Sequence, residues 1–106
     1  MKKYRIENFT KGWFIGDFEP SLIKTKYFEI AIKIYKKGDK EDAHLHKIAD
    51  EFTIITQGSC KMYDQVFKSG DIVWIEKGDV TSFEALEDCT TTVIKIPSVM
   101  GDKYIV

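Results

Sequence analysis

Alternation with a period of two constrains this chain more than any other feature. In "KYFEIAIKIY", Phe28, Ile30, Ile32 and Ile34 fall on one face and Tyr27, Glu29, Ala31, Lys33 and Tyr35 on the other. Side chains of a strand point alternately to its two sides, so this segment predicts a strand with one strongly apolar face. "EFTIITQG" repeats the pattern, with Phe52 and Ile54 set against Glu51, Thr53 and Ile55. β-branched and aromatic residues crowd "DIVWI", "VTSFEA" and "TTTVIKI". Such residues fit a pleated surface better than a helix. No segment carries an apolar stripe at helical spacing.

Turn signals punctuate these runs at short intervals: Lys37-Gly38-Asp39, Gln57-Gly58-Ser59, Tyr63-Asp64-Gln65, Ser69-Gly70-Asp71, Lys77-Gly78-Asp79 and Leu86-Glu87-Asp88. Glycine tolerates positive φ, and aspartate hydrogen-bonds its own backbone. Short strands at this spacing predict an all-β sandwich or barrel. Pro97 is expected to end the last long strand. "FEPSLIKTK" reads as a loop. The apolar ending of "SVMGDKYIV" is suited to docking on the core or on a partner subunit.

With 106 residues the expectation is one domain, residues 1–106. Sixteen basic and seventeen acidic residues nearly cancel, leaving no general electrostatic reason to bind nucleic acid or an anionic membrane. No apolar run is long enough to cross a bilayer as a helix. The opening "MKKYRIENFTKGW" lacks the apolar stretch of a secretory leader, so a cytoplasmic location is expected. Cys60 and Cys89 belong to no metal-type cluster and read as buried small hydrophobes, not a disulfide. The basic run Lys33, Lys36, Lys37, Lys40 is interrupted by Asp39, Glu41 and Asp42, and reads as a solvated hairpin tip. The aromatics Trp13, Phe14, Tyr27, Tyr35 and Trp74 read as core or interface residues.

The only two histidines are His44 and His46. One intervening residue on a strand places both imidazoles on one side. Glu51 follows five residues later, and a bend in "KIAD" brings its carboxylate back to the pair. Two imidazoles and one carboxylate suit Fe, Mn, Ni, Co or Zn as a divalent ion and leave positions open for water or substrate. The plain alternative is a pair of surface histidines on a polar loop.

The spacing has a wider match. "GDKEDAHLHKIADEFTIITQG" resembles the first motif of the cupin superfamily, G-x5-H-x-H-x4-E-x6-G, with Gly38, His44, His46, Glu51 and Gly58 at all five positions. "GDIVWIEKGDVTSFEA" is similar to the second, G-x5-P-x-G-x2-H-x3-N, through Gly70 and Gly78. The resemblance implies a double-stranded β-helix, or jelly-roll, of the RmlC-like cupin type. It places His44, His46 and Glu51 at metal-ligand positions. It also implies a departure: the second motif's proline, histidine and asparagine positions hold Glu76, Thr81 and Ala85. Thr81 thus replaces the usual fourth ligand, which weakens metal affinity and opens the ion to a bidentate substrate.

Parity then places Thr53, Ile55, Thr81, Phe83 and Ala85 toward the barrel interior, where they line a small-molecule pocket or fill a closed core. Three functions compete. The first is a metal-dependent cupin acting on a small polar metabolite. The second is a non-catalytic cupin holding a sugar or nucleotide sugar. The third is a metal-free, epimerase- or isomerase-like cupin with a histidine as general base. The catalytic residues stay unassigned. A homodimer is expected, paired through an edge strand or a swapped N-terminal segment.

Overall fold

The computed structural model describes residues 1–106. Ten strands follow in order: β1 (Trp13–Ile15), β2 (Glu29–Tyr35), β3 (Lys40–Leu45), β4 (Asp50–Gln57), β5 (Ser59–Met62), β6 (Gln65–Lys68), β7 (Ile72–Ile75), β8 (Thr81–Ala85), β9 (Cys89–Ile96) and β10 (Tyr104–Ile105). Two 3-10 turns, Ile6–Asn8 and Thr10–Gly12, are the only helical elements. The strands form two antiparallel five-stranded sheets, ordered β1-β2-β9-β4-β7 and β10-β3-β8-β5-β6. All-β with a double-stranded β-helix is therefore the architecture.

All six turn signals fall at junctions between consecutive strands. Three share one mechanism. In Lys36–Asp39, Lys68–Asp71 and Glu76–Asp79 the aspartate N–H donates to the carbonyl three residues back. Its carboxylate accepts from the N–H of that same first residue at 2.8, 2.9 and 3.1 Å. Each turn is thus closed twice, which sets the register of the strands it joins. The 18–26 segment carries no strand, and β9 ends at Ile96, just before Pro97. The C-terminal tail docks on its own chain: Tyr104 and Ile105 pair with Leu45 and His44 of β3.

The interior changes character along the strands. At one end Ile55, Cys60, Met62, Ile75, Phe83, Ala85 and Cys89 form a closed apolar cluster. Burying a side chain the size of Ile55 stabilises by about 1.5–3 kcal/mol. At the other end the buried residues are mostly polar: Glu29, His44, His46, Glu51, Thr53, Thr81 and Thr91, with Ala31 and Val93 between them. Cys60 and Cys89 are free thiols inside the apolar cluster. Burial pushes the Cys60 thiol up to about 12, so it behaves as a small hydrophobe.

In β2 the apolar side is the outer one. Glu29 and Ala31 are buried, whereas Ile34 is 69% exposed. The inner face of this strand carries Glu29, Ala31, Lys33 and Tyr35, and the outer face of its sheet is apolar. No helix of the chain is long and apolar enough to cross a membrane.

Candidate metal and ligand site

The polar end opens into a cavity of about 840 Å³ whose lining includes His44, His46, Glu51, Thr53, Thr81 and Phe83. Each side chain arrives there for a local reason. In β3, Glu41 pairs with Phe83 and His44 with Thr81, so three steps on one strand match two on the other. The extra residue is a β-bulge, and it resets parity. Glu41 and His44 therefore both line the cavity although their numbers differ by an odd count. His46 lies one residue beyond β3 and is held by its carbonyl, which accepts from the Gly78 N–H at 2.7 Å.

The bend between His46 and Glu51 is built on Asp102. Its carboxylate accepts the N–H groups of Lys47, Ile48 and Ala49 at 2.9–3.2 Å. Burial pushes the Asp102 carboxyl up, but these amide donors and nearby His46 outweigh it and hold the group below the usual carboxylate range. This residue comes from the tail, 51 positions after Glu51. No local pattern marks it.

The His44 Nδ1–H donates to the Asp42 carbonyl at 2.8 Å, which leaves Nε2 free to accept or ligate. The two imidazole centroids are 5.3 Å apart at 77°. His46 is only 3% exposed, and its Nε2 is buried with no hydrogen-bond partner. Its Nδ1 stands 4.0 Å from Glu51 Oε1. The other Glu51 oxygen accepts the Thr53 hydroxyl at 2.8 Å. Burial, with help from Lys95, His44 and Lys103 and against Asp102, pushes the His46 imidazole down to about 4. It is therefore neutral at pH 7, the form that binds a metal.

The donor chemistry fits a divalent transition ion: two imidazoles, one carboxylate, one cavity and one orphaned buried nitrogen. The side chains as they stand are not gathered into a coordination shell, since no three His, Cys, Asp or Glu groups converge closely enough for one ion. His46 presents Nδ1, not Nε2, toward Glu51.

Of the expected lining residues, Thr53 and Thr81 face the cavity, and Phe83 floors it with Tyr35 stacked on it at 4.2 Å. Ile55 lies with 0% exposure in the apolar cluster and does not reach the cavity, because the interior closes one register step below Thr53. Ala85 joins it there. The basic run divides: Lys36 and Lys37 are exposed at the hairpin tip, Lys40 is exposed at the start of β3 on the cavity rim, and Lys33 turns inward and lines the cavity. Trp13, Tyr35, Glu41, Lys95 and Lys103 also line it. The Tyr35 hydroxyl donates to Glu41, and Lys103 is 3.8 Å from the same carboxylate. The parity of β2 and β9 was the signal for Lys33, Tyr35 and Lys95, once the inner face of each strand is fixed.

No family model and no curated protein sequence matches the chain. Solved structures do. A conserved protein of Klebsiella pneumoniae with a double-stranded β-helix domain is similar over 99% of this chain and 91% of its own, at 12% identity and a TM-score of 0.76. KdgF from a Halomonas species matches over 72% and 74% at 17% identity, with a TM-score of 0.68. A sugar phosphate isomerase of the cupin superfamily from Silicibacter pomeroyi matches over 68% of this chain and 52% of its own at 22% identity, with a TM-score of 0.63. At such identities the shared property is the fold. The chain has the cupin fold, a double-stranded β-helix with its polar end open.

Proposed function

We propose that this is a small-molecule cupin in which His44, His46 and Glu51 hold a divalent metal ion and a small polar metabolite completes the shell. The buried, unpartnered Nε2 of His46, in the same cavity as His44 and Glu51, carries this reading. A bound ion supplies Lewis-acid polarisation of substrate oxygens. The chain supplies the rest. Asp42 fixes the His44 ring through Nδ1, Thr53 holds one Glu51 oxygen, and Thr81 pairs in register with His44 at the position where the resemblance expects a fourth protein ligand. The neighbour described as a sugar phosphate isomerase supports a small polar metabolite. Protein dialysed against Mn(II), Ni(II) or Zn(II) is expected to keep close to one equivalent of at least one ion, and His44→Ala and His46→Ala to lose it. Equal retention by wild type and both variants rejects the assignment.

A second reading rests on the side chains not being gathered around a common point. It is a metal-free cupin that holds a sugar or nucleotide sugar. Saturable binding of such a ligand after exhaustive chelation, unchanged by added metal, distinguishes it from the first.

We also infer a homodimer paired through the outer face of the first sheet. Ile34, Ile72, Trp74 and Ile96 are each about half exposed or more there, with Phe52 stacked on Trp74. Five strands of up to eight residues present roughly 600 Å² per copy, about 1,200 Å² for a pair, the lower bound of a stable interface. Light scattering is expected to give twice 12.3 kDa for the wild type and the single mass for Trp74→Glu. A monomeric wild type refutes the pairing.

A further inference from the structure

The metal-ligand reading leaves the most unusual groups of the cavity unused. Lys33 and Lys95 are interior residues of β2 and β9, neighbouring strands of the first sheet. Both line the cavity. Each ammonium lies 5.1 Å from the centroid of the same Trp13 ring, so the two charges are at most about 10 Å apart. Neither forms an ion pair. Lys95 stands in register between Glu29 and Glu51; one Glu29 oxygen accepts the Ser98 hydroxyl and one Glu51 oxygen the Thr53 hydroxyl, and neither carboxylate reaches ion-pair distance of the ammonium. Glu41, whose charge also acts on Lys33, is shared with the Tyr35 hydroxyl and Lys103. Two half-buried ammonium groups that face one cavity, neither in an ion pair, repel one another, and an anion seated between them relieves that repulsion. Beside Lys33 in register, the buried Thr91 hydroxyl also has no partner and also lines the cavity.

We propose that the cavity binds an anionic metabolite whose carboxylate or phosphate seats between Lys33 and Lys95 above Trp13, with Thr91 as an added donor and the remainder of the ligand directed at His44, His46 and Glu51. The proposal rests on the small-molecule reading above and names its ligand class. Two ammonium groups reached from different strands suit an anion with several oxygens. The indole face supplies a flat apolar wall and keeps both ammonium groups in place without neutralising them. A neutral sugar offers neither ammonium a counter-charge, so the site favours an anion over it.

The test uses metal-free protein, which separates it from the metal assignment. Lysine side-chain 13Cε signals are followed by NMR during titration with inorganic phosphate, with malonate and with glucose at constant ionic strength. The expected result is a saturable shift of the Lys33 and Lys95 signals with phosphate or malonate and none with glucose. The anion that saturates first names the group. Lys33→Gln and Lys95→Gln should each weaken that binding at least tenfold, while Lys37→Gln on the exposed hairpin tip leaves it unchanged. The Lys33 and Lys95 variants should retain metal as the wild type does. Non-saturating shifts in both anion arms, or anion binding that survives both substitutions, overturns the proposal whatever the metal content proves to be.

Discussion

At the scale of single residues, the site depends on groups that bear no chemistry themselves. Asp102 accepts three amide N–H groups in the bend that separates His46 from Glu51. Removing it leaves those donors unsatisfied. Asp102→Ala is expected to cost about 2–4 kcal/mol in chemical denaturation, with metal retention falling as well. A loss under about 0.5 kcal/mol contradicts its role. Ile55 makes the opposite test. It sits in the apolar cluster below the cavity, so Ile55→Val should cost about 0.5–1.5 kcal/mol and leave ligand and metal binding unchanged. A selective loss of ligand affinity returns Ile55 to the lining. The sequence singles out His44, His46 and Glu51 as ligand candidates because their spacing is local. It does not mark Asp102, because its partners are more than fifty positions away.

At the scale of strands and turns, the period of two was legible and the direction of each face was not always so. In β4 the inner face is Glu51, Thr53 and Ile55, a mixed set that shares one parity and divides between the cavity and the apolar cluster. In β2 the isoleucines lie outside, and the inner face carries Lys33 and Tyr35. Hydrophobicity alone cannot orient a strand when the outer face of its sheet is itself apolar. The bulge in β3 is equally silent in the sequence, yet it alone brings Glu41 to the same cavity as His44. The turns were the easiest elements to place, because glycine and aspartate each carry a stereochemical reason. Gly58 shows it most sharply. Its φ is +79°, and a Cβ built there stands 2.1 Å from the Asp88 carbonyl oxygen. Gly58→Ala must therefore both strain its backbone and push β4–β5 away from the β8–β9 turn, for a loss of about 1–3 kcal/mol or more. Thermal unfolding of the variant checks it, and wild-type stability contradicts the register described here.

At the scale of the whole molecule, a polar end and an apolar end share one barrel, and pH should separate their contributions. The His46 pKa falls from 6.5 to about 4 on folding, so the unfolded chain binds the extra proton between those values. Its contribution to stability is complete above pH 6.5 and is lost as pH falls toward 4. Asp102, also held low, adds a loss of the same sign at still lower pH. Metal-free protein is expected to lose stability from pH 7 to 4.5, and His46→Gln to flatten that slope. A slope unaltered by the substitution removes His46 as its source.

At the open end of the barrel, His44, His46 and Glu51 are expected to grip one ion. Anomalous diffraction at the absorption edge of manganese, from crystals grown with Mn(II), tests it most directly. The predicted result is a single strong peak within bonding distance of all three side chains, with the His46 ring turned to present Nε2. A map with no peak there, or with manganese bound only at surface carboxylates, contradicts it.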